Sequence, residues 1–111
     1  MNINEEEKRV YIDVSGFISK KEASNFLNTY KQTMKNKKSS LYKLVVSPSI
    51  FECENEEDMR TVCMAFLKTG YKKIYLVDEK NYIMSNLSLK PIEKKLFFKS
   101  VKIVNAKRDI K

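Results

Sequence analysis

Few residues in this chain are able to do chemistry, and their spacing narrows the choice further. Histidine is absent, which excludes every His-dependent nucleophilic relay and every Cys/His zinc site. Cys53 and Cys63 stand ten positions apart with no CxxC pair, so they read as small, buried or semi-buried thiols of a reducing compartment rather than a disulfide framework. Cys53 precedes an expected helix start, an environment that lowers a thiol pKa. Glu52, Glu54, Glu56, Glu57 and Asp58 surround it in sequence and push the other way, and no imidazole is present to act as base. These carboxylates are oxygen donors for a hard cation, but their spacing departs from an alternating calcium loop and lacks its central Gly. Gly16 and Gly70 are the only glycines, and neither lies in a phosphate-cradling fingerprint. The expectation is a protein that is not an enzyme and holds no metal or other cofactor.

The elements that would position these residues follow from periodicity. Val10, Ile12 and Val14 alternate with Tyr11, Asp13 and Ser15 as in a strand with one face in the core, which Gly16 is expected to end. A short edge strand around Ile3, turned back by residues 5–7, would precede it. Ser19 and Glu22 form a capping box for a helix whose apolar stripe is Ala23, Phe26, Leu27, Tyr30 and Met34. Lys35, Lys37 and Lys38 crowd its end, where cations meet the negative end of the helix dipole. Residues 41–46 read as a central strand buried on both faces and stopped by Pro48, followed by a loop over residues 47–54. Asn55 then caps a helix with Glu56, Glu57 and Asp58 in its first turn, a stripe of Met59, Val62, Cys63, Phe66 and Leu67, and Gly70 just past its end.

Residues 73–77 supply another buried strand and residues 78–81 a turn. Residues 82–89 alternate ambiguously. Ser88 and Pro91 announce a short helix ending near Phe98, and Val101, Ile103 and Ala106 a last edge strand with a frayed helical turn behind it. This alternation implies a small α/β sandwich of about four mostly parallel strands, with helices on the sheet faces and right-handed crossovers. Its ligand loops would follow Val14, Val46 and Val77. The central strand ends at Ser47 rather than at a carboxylate cluster, so a receiver-type phosphoacceptor is not expected there.

Across 111 residues, 22 Lys and Arg oppose 14 Asp and Glu, for a net charge of +8, and 42% of residues are hydrophobic. That suffices for one continuous core in one domain. Residues 90–111 hold eight of the cations and two carboxylates. Phe97 and Phe98 are placed among them to stack bases, but lysine dominates and only three arginines occur, where base reading and phosphate clamping favour arginine. Usage rich in Asn, Ile and Lys also fits an AT-rich coding sequence. A solvated basic face with weak nucleic-acid affinity follows. No apolar run approaches the roughly 18–20 residues of a membrane span, and residues 1–7 lack the basic and apolar regions of a signal peptide. A soluble, cytoplasmic protein is expected.

The arrangement resembles the STAS domain (sulfate transporter and anti-sigma factor antagonist), especially its short stand-alone SpoIIAA-like branch. Four features carry the likeness: a strand running into Gly16, a helix opened by Ser19, the buried Leu44, Val45 and Val46 leading to the helix from Asn55, and Phe97, Phe98, Lys99 and Ser100 turning into Val101, Lys102 and Ile103. The family's Asp-Ser-Ser-Gly-Leu-like phosphorylation motif would fall on residues 53–59, which contain neither Ser nor Gly. The resemblance implies one STAS-like α/β domain over residues 1–111. It implies a regulatory protein-interaction module without the usual phosphoserine switch, or a binder of small apolar ligands. Its partner surface would comprise Ser47, Ser49, Ile50, Phe51, Asn55, Glu56, Glu57 and Asp58, with Ile50 and Phe51 as apolar anchors. A protein partner would dock there, and a homodimer is a further expectation. A basic nucleic-acid-binding protein is the alternative.

Overall fold

The computed structural model describes residues 1–78, 90–106 and 110. The N-terminal hairpin forms despite its three consecutive carboxylates because two of them have partners. Strand β1 (Asn2–Asn4) pairs antiparallel with β2 (Arg9–Ile18), and Lys8 turns between them with φ 53°. Glu5 accepts from Lys37 Nζ at 2.7 Å and from the Tyr42 hydroxyl at 2.6 Å, which holds its carboxyl below the usual range. Glu7 meets Arg9 at 3.5 Å and accepts from the Asn4 amide at 2.6 Å.

The chain continues through α1 (Lys20–Lys35), β3 (Lys43–Cys53), α2 (Glu56–Thr69), β4 (Lys73–Val77), α3 (Pro91–Ser100) and β5 (Val101–Val104). The sheet order is β1-β2-β3-β4-β5, with β2 to β5 mutually parallel, so the expected α/β sandwich with a mostly parallel sheet is the observed fold. Each crossover steps one strand over in the same direction, and crossovers of one hand then place their helices on one face. Accordingly Tyr30 and Met34 of α1, Phe66 of α2 and Phe97 of α3 share one core cluster with Val10, Ile12, Leu44, Ile74 and Leu76. Val45, Tyr75 and Val104 form a second cluster on the opposite face, joined by Ile110. Val45 and Leu44 are both fully buried, as expected for the central strand.

The helix ends follow local chemistry. Ser19 Oγ accepts from the Glu22 amide at 3.1 Å, although its hydroxyl, rather than its own amide, reaches the Glu22 carboxylate. Asn55 Oδ1 accepts from the Glu57 amide at 3.0 Å, and Gly70 ends α2 in the left-handed region at φ 83°. Helix α3 starts at Pro91 with Lys90 as its N-cap, and Glu93 returns to the Lys90 amide at 3.1 Å. It runs directly into β5. Ala106 lies past that strand. The predicted turn at 79–81, the ambiguous stretch 82–89 with its Ser88 helix signal, and the tail at 107–109 and 111 lie outside the described residues.

Two breakers that the sequence reads as strand ends, Gly16 and Pro48, lie inside strands. Pairing runs to Val14↔Pro48 and resumes at Gly16↔Phe51, so β3 carries one extra residue, a bulge. Gly16 adopts φ 72° opposite it. The last pair between β3 and β4 is Val46↔Leu76, so Pro48 sits beyond it, where a missing N–H costs no ladder bond on that side. Leu41, read as the start of the central strand, is instead exposed in a 3-10 turn, Ser39–Leu41. A Cβ on Gly16 would meet nothing within 4 Å. Gly16→Ala should therefore cost about 1–2 kcal/mol through backbone conformation alone, measurable as a lower urea midpoint at unchanged slope.

Candidate functional site

Sequential strand order leaves no point among β2 to β5 where neighbouring connections diverge, and so no switch-point crevice of the doubly wound kind. In its place β2 and β3 run on together past β4, from Asp13↔Ser47 to Ile18↔Cys53. The expected loops after Val14 and Val46 are part of this two-stranded ribbon. Its far end is tied to the start of α1 and leads through Asn55 into α2. The Glu54 amide donates to Ile18 O at 2.9 Å, and the Glu54 carboxylate accepts from the Lys20 amide at 2.6 Å, satisfying a free donor at the start of α1.

Several predicted partner residues meet at this end. Asn55 is half-buried and occupied in capping, while Glu56 and Glu57 are exposed in the first turn of α2. Ser49 is exposed in β3, and Ser47 is half-buried with an Oγ that is buried and unpartnered. Ile50 lies in the same strand. Phe51 is not an exposed anchor: it is 6% exposed and belongs to the main core cluster, because the bulge turns it toward the helical layer. The exposed ring is Phe17, at 62%, which stands in register beside Glu52. Alternation beyond Gly16 would have pointed to Phe17 had the glycine not read as a terminator.

Between this ribbon and the helices lies an apolar cavity of about 270 Å³. Its walls include Val14 of β2, Phe51 and Cys53 of β3, Ala23 and Phe26 of α1, and Val62 and Cys63 of α2, with the exposed Ser15 and Glu22 at its rim. The cavity explains a pattern along α2: Met59, Val62, Cys63 and Leu67 face the core but are only half-buried, and Phe66 alone is closed off. Asp58 also lines it, and its Oδ2 is buried without a hydrogen-bond partner. Burial pushes the Cys63 thiol up to about 12, with Cys53 adding to it, and burial followed by the Asp58 charge raises Cys53. Both thiols are free and protonated at neutral pH, the wrong state for a nucleophile.

Other polar groups are engaged in holding elements together. The Thr69 hydroxyl donates to Ala65 O at 2.8 Å, so the Tyr30 hydroxyl donates to Thr69 at 2.7 Å and accepts from Tyr71 at 2.6 Å. This chain ties α1 to the end of α2. Arg60 Nε lies 2.9 Å from both Glu93 oxygens and joins α2 to α3. Among the described residues no cluster of His, Cys, Asp or Glu is placed to hold a metal, and no helix is long and apolar enough to cross a membrane. On α3, Phe97 is buried and Phe98 only partly exposed, which removes one of the two rings that the sequence offers for base stacking. No family model, curated protein or solved structure matches this chain.

Proposed function

We propose that this chain is a non-enzymatic, STAS-like regulatory module acting in the cytosol, and that the far end of its β2–β3 ribbon with the start of α2 docks a protein partner. The observation that carries this reading is Phe17, a large exposed ring set beside Glu52 at the end where exposed Glu56 and Glu57 gather. An exposed apolar side chain beside a carboxylate suits a partner offering an apolar contact and a basic neighbour. Support for the STAS-like reading comes from the parallel strand–helix alternation and the direct passage of α3 into β5.

A phosphoserine switch does not fit this end. Ser47 Oγ is buried, and the start of α2 already holds Glu56, Glu57 and Asp58, which would repel added phosphate. These fixed carboxylates imitate, in part, the charge of a phosphorylated state.

The test is affinity capture from the native cell, with and without nuclease, using the wild-type chain and the variants Phe17→Asp and Glu52→Lys. A protein retained after nuclease and lost with both variants supports the reading. Capture that vanishes with nuclease would favour the basic face at α3 and a nucleic-acid partner. On the present reading, DNA or RNA binding is weak, independent of sequence, and falls steeply between about 50 and 200 mM salt. Submicromolar binding to one sequence at physiological salt would overturn it.

A further inference from the structure

We infer that the cavity between the β2–β3 ribbon and helices α1 and α2 is a binding site for a small apolar molecule bearing one hydrogen-bond donor, which Asp58 Oδ2 accepts. The site is lined by the domain itself and needs no protein partner. Three observations bear on it. First, an apolar void of roughly 150 Å³ takes a benzene ring, so about 270 Å³ has room for two fused rings or a chain of similar bulk. Second, the core stripe of α2 is half-buried along most of its length, which leaves apolar surface that a two-layer core would normally close. Third, Asp58 Oδ2 is buried on this cavity with no partner, and a buried acceptor left unmade is costly unless something donates to it.

These features also define what the site rejects. Phe26, Phe51, Phe66 and Phe97 line the cavity and offer no polar atom, so a ligand rich in hydroxyls or phosphates would leave its groups unpaired. The ligand therefore enters past Ser15 and Glu22, keeps its apolar body among the rings, and turns its single donor toward the first turn of α2.

Titration of the ¹⁵N-labelled chain with 2-naphthol and with naphthalene tests this. The two probes share shape and differ in one hydroxyl. Saturable amide shifts at Ala23, Val62 and Phe66 are expected for both, with 2-naphthol about tenfold tighter, the factor that one good hydrogen bond to a charged acceptor supplies. Asp58→Ala should keep binding but erase the difference. Cys63→Phe and, as a second filling variant, Ala23→Leu should block both probes while retaining a dispersed folded spectrum. Absence of saturable shifts in the wild type, or a preference for 2-naphthol that survives Asp58→Ala, would overturn the inference. So would equal affinity for the two probes.

Discussion

Replacing Phe66 with alanine is expected to remove about 3–5 kcal/mol of folding stability. The ring is 6% exposed and meets two aromatic neighbours edge-on, Tyr30 at 5.3 Å and Phe26 at 6.3 Å between centroids. It is the one buried side chain of α2, so it carries much of the attachment of that helix to α1 and to the sheet beneath. Truncation would leave the Phe26 and Tyr30 rings short of contacts and merge the vacated space with the adjoining cavity, which limits collapse. Against the roughly 5–15 kcal/mol that holds a typical domain, the variant should sit close to unfolding. Urea denaturation at constant slope measures the loss. A change under about 1 kcal/mol would show that α2 is held by something other than this ring.

The second large effect is on the alkaline side. The Cys63 thiol is pushed from 9.0 up to about 12, first by burial and then by Cys53. Tyr71 is raised by burial and by donating its proton to Tyr30, and Tyr30 is raised by burial against its hydrogen bonds. In each case the folded state holds a proton that the unfolded chain releases earlier. Their contribution is complete below the unfolded pKa and is lost as pH climbs through the folded one. From about pH 9 the thiol alone should lower stability by up to ~1.4 kcal/mol per pH unit, with the tyrosines joining above about pH 10. Since Cys63 borders a cavity that opens at its rim, the slope should fall somewhat short of that limit. Urea midpoints at pH 7, 9, 10 and 11 would show the decline, and Cys63→Ala should flatten its first part whatever it does to stability at pH 7. Parallel curves for the two proteins would mean that the thiol is solvated.

What the sequence determined by itself is local. Ser19, Asn55 and Gly70 end helices because each satisfies backbone groups, or adopts a backbone conformation, within a few residues of its own position. The strand at Lys73–Val77 and the apolar stripes were legible for the same reason, since periods of two and 3.6 are written along one segment. Even the N-terminal hairpin could be read from Ile3, although what holds Glu5 is Lys37 and Tyr42, more than thirty residues away.

Tertiary structure decided everything that depends on a partner strand or a second layer. Gly16 and Pro48 are breakers by local rule, yet pairing of Gly16 with Phe51 and of Val14 with Pro48 carries both strands through them. That extension buries Phe51, exposes Phe17 and converts an expected loop into a ribbon. It also brings Glu54 to the first turn of α1. The cavity belongs to the same class of fact: it is the space left when α1 and α2 pack against a bulged ribbon, and only that packing sets an unpartnered Asp58 oxygen beside Cys53, Cys63 and the rings. Side-chain type announces an acid or a thiol, but its solvent and its neighbours across the fold determine what it can bind.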